Sequence, residues 1–309
     1  MIRPSDLRRM LCHKIISGDT SVSPDNHFRE VLRLELEKTL VEIANITRGR
    51  ISRTQTFSDF IAYSALTLSI RTDPVHAEKR HNTLKQLKNT YRDAEWNSFH
   101  EGLVALSKEV VKNVQRDRFI DLFALTFIKI GAVNKELKQD FTPPDVAKLK
   151  ANIVFRQDTA LPQEGFFTLN DSTCGSGTIL LAGVERIAEL GFNPSAQLVV
   201  LASDCDPRCA QMAYLNLSLY GIPAVVVCGN TITLKESDRW YTPVYLLGKW
   251  IWRAPMPFGD SGYASDEMLR RYDEPIYNAI RNAETLFIPA DKDGTADISK
   301  NHSESEVQP

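Results

Sequence analysis

The sequence has no apolar run that approaches the roughly 20 residues of a membrane-spanning helix. Its first ten residues, MIRPSDLRRM, lack the apolar segment of a secretory signal peptide. Cysteine is scarce, and its odd count and scattered placement argue against a disulfide framework and favour reduced thiols inside a cell. The cysteines are Cys12, Cys174, Cys205, Cys209 and Cys228. These absences predict a cytoplasmic protein without a membrane segment.

Charge of one sign is not in large excess, because 37 Lys and Arg residues stand against 39 Asp and Glu residues. The net charge of −2 excludes a strongly basic nucleic-acid coat. The balance hides an asymmetry, since residues 1–150 hold 25 basic and 19 acidic residues while the remainder holds 12 and 20. The basic surplus in the first half fits either a surface that faces nucleic acid or a set of solvated helices, and composition leaves both open.

A length of 309 residues allows two domains, or one domain with extensions. Apolar residues recur at helical spacing in the first part, which predicts a helical domain over residues 1–135. Short apolar runs alternate with amphipathic stretches over residues 136–260, which predicts an α/β domain. Residues 261–309 are expected to form a C-terminal helix and a polar tail.

Three apolar runs in the second part are typical of buried parallel strands, at residues 166–170, 197–203 and 224–228. Pro207 is well placed to begin a helix after the second run, and Gly221 to end it. Strands that alternate with helices in this way predict an open sheet with right-handed crossovers. Ligands bind such sheets at the carboxyl ends of the strands.

The sequence Asp171-Ser172-Thr173-Cys174-Gly175-Ser176-Gly177-Thr178 follows the first predicted strand and precedes a predicted helix. Its glycines allow a positive φ and a close approach of the backbone to a ligand. Asp204 ends the next predicted strand, where a carboxylate can accept hydrogen bonds from both hydroxyls of a ribose. No Lys follows the glycines, which excludes a Walker A loop, and Leu180 occupies the third glycine position of a nicotinamide-binding loop.

The segment from Asp171 to Gly177 resembles the D-P-x-C-G-S-G motif of adenine-N6 DNA methyltransferases, particularly the modification subunits of type I restriction systems. The resemblance spans roughly residues 118–232, and further elements follow in the order of that family. These elements are Phe141-Thr142-Pro143-Pro144, Asp204-Cys205-Asp206-Pro207, Asn216-Leu217 with Gly221-Ile222, and Gly229-Asn230-Thr231-Ile232.

This resemblance implies a Rossmann-like methyltransferase sheet, preceded by a helical N-terminal domain, that binds S-adenosyl-L-methionine. It places Phe141 and Thr142 at the methionine end of the cofactor. It places Asp171, Gly175 and Gly177, with Cys174 of the same motif, along the methionine and the sugar. Asp204 would hold the ribose, and Cys205 would pack on the adenine.

Asn230 stands where the family usually has Asp, at the residue that reads the adenine amino group. An Asn side chain can still accept a hydrogen bond through its carbonyl oxygen, so the change need not abolish binding. The alternative interpretation of Asn230 is a turn residue without a ligand. No metal is expected, because Cys205 and Cys209 are four residues apart and no second pair completes a zinc site.

The sequence departs from the family at the catalytic tetrapeptide [N/D]-P-P-[Y/F], which is absent downstream of Gly229. The nearest approximation ends in Pro257-Phe258-Gly259 and lacks the Asn, so Pro257 and Phe258 are the only catalytic candidates and a surface loop is the competing interpretation. An aromatic-rich stretch from Trp240 to Trp252 suits either stacking of bases or packing in a core.

Two hypotheses therefore stand side by side. The first is an adenine-N6 DNA methyltransferase that transfers a methyl group to the exocyclic amine of a flipped base. The second is a catalytically inactive protein that senses S-adenosylmethionine or serves as a partner subunit in a restriction or anti-restriction system. DNA and a partner protein are the expected partners, and the sequence predicts no target site and no oligomeric state.

Overall fold

The computed structural model describes residues 36–115, 118–133 and 139–254. The first part of this range is helical, as expected from the sequence. Residues 36–44 form a helix. It is followed by α1 (Arg53–Thr72), α2 (Ala77–Lys88), α3 (Asp93–Val114) and α4 (Ala124–Lys129). Among the described helices, none combines the length and the apolar character needed to cross a membrane.

Aromatic side chains hold the helices together. Phe60 on α1 and Phe99 on α3 are fully buried, with ring centroids 5.7 Å apart. Trp96 packs edge-on against Tyr63 at 4.8 Å. The start of α1 is fixed by Ser52, whose side chain accepts a hydrogen bond from a backbone N–H of the first turn. These contacts continue into the apolar core beneath the sheet, so helices and sheet share one core.

The second part contains a sheet of four strands in the order β1 (Phe167–Asp171), β2 (Leu198–Asp204), β3 (Ala224–Asn230) and β4 (Lys235–Tyr241). The first three strands are parallel, which confirms the predicted α/β sheet. β4 was not predicted, and it pairs antiparallel with β3 at the outer edge.

Helices connect the parallel strands and cover one face of the sheet. They are α6 (Thr178–Glu189), α7 (Pro194–Gln197) and α8 (Pro207–Leu219), whereas α5 (Pro144–Val154) precedes β1 and packs against α6. Pro207 begins α8 as expected, and Asp206 caps it by accepting a hydrogen bond from the backbone N–H of Arg208. Gly221 follows α8 with φ +68°, the left-handed conformation that ends many helices.

The aromatic stretch after β4 belongs mainly to the core. Trp240 and Tyr241 lie at the end of β4, Tyr245 lies on α9 (Pro243–Leu247), and Trp250 lies on α10 (Trp250–Arg253). All four side chains are buried, whereas the side chain of Trp252 is exposed at 36%. α9 and α10 cover the second face of the sheet over Val199 and Val225. Packing in the core is therefore the observed role of these four residues, and stacking of bases is not available to them.

A buried arginine joins the helices to the outer edge of the sheet. Arg80 on α2 pairs with Asp238 on β4, donates to the carbonyl oxygen of Arg239 at 2.9 Å, and lies 3.4 Å from the centre of the Trp240 ring. Its side chain is 3% exposed. The pair ties β4, the strand that the sequence did not reveal, to the helical part.

The predicted catalytic candidates Pro257 and Phe258 lie outside the described residues, as do the predicted C-terminal helix and tail at 261–309. The predicted boundaries at residues 135 and 260 fall there too, and they stay predictions.

Candidate functional site

A cavity of about 420 Å³ lies at the carboxyl ends of β1, β2 and β3. Residues from four segments form it: the stretch before α5, the glycine turn after β1, the end of β2, and the turn after β3. The lining residues are Gln139, Asp140, Phe141, Thr142, Ser172, Thr173, Cys174, Gly175, Thr178, Ile179, Asp204, Cys205, Cys209, Gly229, Asn230, Thr231 and Ile232.

The structure brings together most of the residues that the sequence pointed to. Seven of the nine line the cavity: Phe141, Thr142, Cys174, Gly175, Asp204, Cys205 and Asn230. Gly177 and Asp171 are not in its wall. Asp171 accepts a hydrogen bond from the backbone N–H of Thr173 at 3.1 Å, so its side chain closes the turn.

The glycine turn has the conformation that its sequence suggests. Gly175 has φ +55° and Gly177 has φ +94°, both in the region that residues with a side chain rarely adopt. A Cβ atom on Gly175 would lie 3.6 Å from the Phe141 ring, and one on Gly177 would lie 3.7 Å from Ala213 of α8. The backbone N–H of Cys174 donates to the carbonyl oxygen of Ser203 at 2.8 Å, which ties the turn to β2.

Asp204 is held in place by backbone donors on both of its oxygens. Oδ2 accepts from the N–H of Gly175 at 2.8 Å, and Oδ1 accepts from the N–H of Asp206 at 2.9 Å. Burial raises the pKa of this carboxyl above its ordinary value, although the two backbone hydrogen bonds oppose the shift. Each carboxylate oxygen has a further lone pair, so Asp204 can accept from two neighbouring hydroxyl groups of a ligand.

Asp206 has a structural role beside this carboxylate. Its oxygens accept from Arg208 Nη2 at 2.6 Å and from Gln139 Nε2 at 2.7 Å. Burial alone would raise the pKa of Asp206, but these hydrogen bonds lower it overall. The charge of Arg208 is therefore matched by Asp206 and does not face the cavity as a free cation.

Sequence reasoning missed Asp121, which supports the glycine turn from behind. Its carboxylate accepts from Ser176 Oγ, from Thr178 Oγ1 at 2.6 Å and from Asn216 Nδ2 at 3.1 Å. Asn216 also donates to the carbonyl oxygen of Ser176 at 2.9 Å. The start of α6 has no side-chain cap of its own, so a carboxylate from a distant segment supplies negative charge at the amino end of this helix.

Asn230 forms a turn at the rim of the cavity. Its Oδ1 accepts from the backbone N–H groups of Ile232 at 2.9 Å and Thr233 at 3.1 Å. The observed role is thus the turn that the sequence left as an alternative. Contact between Asn230 and an adenine stays a proposal. Because Oδ1 is used in the turn, the group of this side chain that is left for a ligand is the Nδ2 amide, which donates a hydrogen bond and cannot accept one.

The cysteines at the site are thiols that suit packing. Cys174 and Cys209 are buried and Cys205 is exposed. Burial raises the pKa of Cys174 and Cys209, which disfavours the thiolate form that a nucleophile or a metal ligand needs. Within the described part of the chain, no group of three metal-binding side chains comes together.

The charge that the described residues give to the cavity wall is negative. Asp140 and Asp204 line it, and the wall formed by the described residues contains no Lys or Arg. Cavities that bind di- or triphosphates use cationic side chains or an anion-binding loop with a Lys. This wall therefore favours a ligand that carries positive charge, or none, beside its ribose hydroxyls.

Comparison with protein-family profiles gives no match, and comparison with curated proteins gives none either. Among solved structures, the chain is similar to a protein of Listeria monocytogenes assigned to the class I S-adenosylmethionine-dependent methyltransferases. The identity is 11%, the match covers 82% of this chain and 79% of that chain, and the TM-score is 0.36. It is also similar to the methyltransferase subunit of a type I restriction-modification system from Streptococcus thermophilus. There the identity is 20%, the match covers 65% of this chain and 59% of that chain, and the TM-score is 0.32. At TM-scores this low, the likenesses do not establish a shared function.

Proposed function

We propose that this protein binds S-adenosyl-L-methionine in the cavity at the carboxyl ends of β1 to β3, as a methyltransferase-like protein of the adenine-N6 DNA class. The observation that carries the proposal is Asp204, a partly buried carboxylate held by two backbone N–H groups directly beside a glycine turn with positive φ. This is the arrangement that binds the ribose of a nucleoside cofactor.

The charge of the wall selects among nucleoside cofactors. S-adenosylmethionine carries a sulfonium and an ammonium group against a single carboxylate, whereas dinucleotides and ATP carry several phosphate charges. Asp140 and Asp204 on the wall, with no lining Lys or Arg among the described residues, favour the cationic ligand. Phe141 and Thr142 would contact the methionine end, and Cys205 would pack on the adenine.

The bound cofactor would supply the methyl group for transfer to the exocyclic amine of a flipped adenine. Such a transfer depends on placing the amine in line with the methyl group, and a polar acceptor that orients the amine lone pair accelerates it. The family carries this acceptor in a tetrapeptide that the sequence lacks. We therefore propose that the chain alone has weak or no DNA methylation activity although it binds the cofactor.

The absence of the tetrapeptide from the sequence favours the alternative function, a cofactor sensor or partner subunit. Pro257 and Phe258 do not restore the missing acceptor, since neither side chain can accept a hydrogen bond. DNA and a second protein subunit remain the proposed partners, and the cytoplasm the proposed location.

One experiment on the full chain separates these possibilities. Calorimetry would measure the affinities for S-adenosylmethionine, S-adenosylhomocysteine and ATP, and a parallel assay would follow labelled methyl transfer to DNA of mixed sequence. We expect binding of the first two ligands, no binding of ATP, and little transfer. Robust transfer would establish the enzyme and overturn the expected inactivity. Absence of S-adenosylmethionine binding, or preferential binding of ATP, would overturn the cofactor proposal.

A further inference from the structure

Helix α5 is apolar on two faces. Its inner face carries the small residues Ala147 and Ala151, which are buried against α6. Its outer face carries larger ones, since Val146, Leu149 and Ile153 are 43%, 61% and 67% exposed. A helix turns by about 100° per residue, so these three side chains form one outer stripe on the side of α5 away from the two alanines. One helix therefore presents an apolar surface to the core and another to solvent.

The spacing of the outer stripe is that of a two-stranded coiled coil. Leu149 follows Val146 by three residues and Ile153 follows Leu149 by four, which is the a–d–a pattern of a heptad. β-branched residues occupy both a positions and Leu occupies the d position, the combination that favours pairs of parallel helices. The outer stripe therefore suits a second helix that carries the same pattern.

Charged residues of opposite sign flank the outer stripe. Asp145 lies at the g position before Val146, and Lys150 lies at the e position after it. Both are exposed, and neither forms an ion pair or a side-chain hydrogen bond in the described part of the chain. In a parallel pair of helices, a g residue of one faces an e residue of the other. Two parallel copies of α5 would pair Asp145 with Lys150 twice, whereas antiparallel copies would bring like charges together.

We propose that two copies of this chain associate through α5, as a parallel and symmetric pair of helices with the outer stripe at the interface. A helix of 11 residues is about 16 Å long, so two of them cover less than the roughly 800 Å² per partner of a standard interface. The dimer is accordingly weak and depends on protein concentration. Phe141 and Thr142, just before α5, line the cavity, so both cavities lie at the same end of this dimer.

Sedimentation equilibrium of the full chain over a range of concentrations tests for the dimer. We expect a monomer–dimer equilibrium for the wild type and a monomer for Leu149→Glu, because a carboxylate at the d position would be buried against its own copy. Val111→Glu is the matched control, since Val111 is 56% exposed on α3, and this variant should dimerise like the wild type. A wild-type chain that stays monomeric up to about 1 mM, or a dimer that survives Leu149→Glu, would overturn the proposal.

Charge variants test the parallel orientation. Asp145→Lys and Lys150→Asp each place like charges opposite one another at two contacts, so each variant should dimerise about five-fold more weakly or worse. An equimolar mixture of the two variants restores opposite charges at both contacts and should dimerise like the wild type. Single variants that dimerise as well as the wild type would overturn the parallel arrangement.

Labelling of a cysteine in the outer stripe distinguishes a second copy from other occupants. Val146→Cys should react with a water-soluble thiol reagent faster in dilute than in concentrated protein, as followed by mass spectrometry of the peptide that contains residue 146. Slow labelling of a monomer at every concentration would assign the outer stripe to another segment of the same chain, and equally fast labelling at every concentration would leave it uncovered. Either result would overturn the dimer. The dimer does not depend on the cofactor, so its failure would leave the cofactor proposal untouched.

Discussion

Replacing Asp204 with Asn tests the centre of the proposed cofactor site. The substitution keeps the size of the side chain and one carbonyl oxygen, but it removes the charge and turns one acceptor into a donor. In the wild-type protein, the two oxygens already accept from Gly175 and Asp206 at 2.8 and 2.9 Å. Only the charged carboxylate offers further lone pairs on both oxygens to the two ribose hydroxyls.

The expected loss follows from the number of ligand hydrogen bonds that Asn cannot make. One hydrogen bond to a charged acceptor is worth roughly 1.5–3 kcal/mol. Losing one of the two therefore weakens binding about 10- to 150-fold, since about 1.4 kcal/mol corresponds to a factor of ten. Calorimetry at neutral pH would measure this change for S-adenosylmethionine.

Asp140→Asn is the control for the general charge of the cavity. Asp140 lines the same wall but is exposed, so water and salt screen its charge. Its removal should change affinity by no more than a few-fold, because exposed charge pairs contribute up to about 1 kcal/mol. Equal losses in the two variants would show that Asp204 acts only through charge, and an unchanged affinity in Asp204→Asn would refute its place at the ribose.

The pH dependence provides an independent test of the same residue. Burial raises the pKa of the Asp204 carboxyl, so its protonation begins at a higher pH than for an ordinary Asp. A protonated carboxyl is a poorer acceptor, and the affinity should fall as the pH drops through this raised pKa. The Asp204→Asn variant should lose this part of the pH dependence, and its persistence would assign the titration to another group.

Two further predictions use matched pairs of variants. Gly175→Val should abolish cofactor binding while the protein still folds. Gly191→Val is the control, because Gly191 also has a positive φ of +91° but no atom lies within 4 Å of the position of its Cβ. This variant should have a lower melting temperature and unchanged cofactor binding. Arg80→Ala should lower the free energy of unfolding by about 3–5 kcal/mol, because it removes the buried partner of Asp238, the hydrogen bond to the carbonyl oxygen of Arg239 and the contact with the Trp240 ring. Lys79→Ala, which removes the exposed partner of Asp238, should cost about 1 kcal/mol or less. Urea unfolding would measure both variants, and equal losses of stability would contradict the role of the buried pair. Arg80 lowers the pKa of Asp238 although burial opposes the shift. The contribution of the Arg80–Asp238 pair to stability should therefore disappear as the pH falls through this lowered pKa.

The three parallel strands could be predicted within two residues at each end. β2 and β3 each contain an apolar run of four or more residues, and β1 lies directly before the glycine turn. β4 could not, because its first four residues, Lys235 to Asp238, are polar and lie at an edge that water can reach. Only Arg239, Trp240 and Tyr241 of this strand are buried. A strand with so short an apolar part has no periodicity that distinguishes it from a loop.

Some residues of the candidate site could likewise be predicted from the sequence and others could not. Gly175 and Asp204 could be found because each is defined by its neighbours in the sequence, a glycine turn after one strand and an acid at the end of the next. Asp121 could not, since its partners Ser176 and Thr178 lie on a segment far along the chain and no local pattern marks it. For Asn230, the choice between a turn and a ligand contact depended on the direction of one oxygen atom, which only three-dimensional geometry can supply.

The two functional hypotheses make the same demand on the cavity and different demands on its surroundings. Binding requires Asp204, the glycine turn and a cavity wall without lining Lys or Arg, and the described residues of the wall meet all three requirements. Transfer requires in addition a group that orients the target amine. The tetrapeptide that supplies this group in the family is absent from the sequence after Gly229. Labelled methyl transfer by the full chain would therefore favour the enzyme, because it requires both the cavity and the orienting group. Binding of S-adenosylmethionine without transfer would favour the sensor, because it requires the cavity alone.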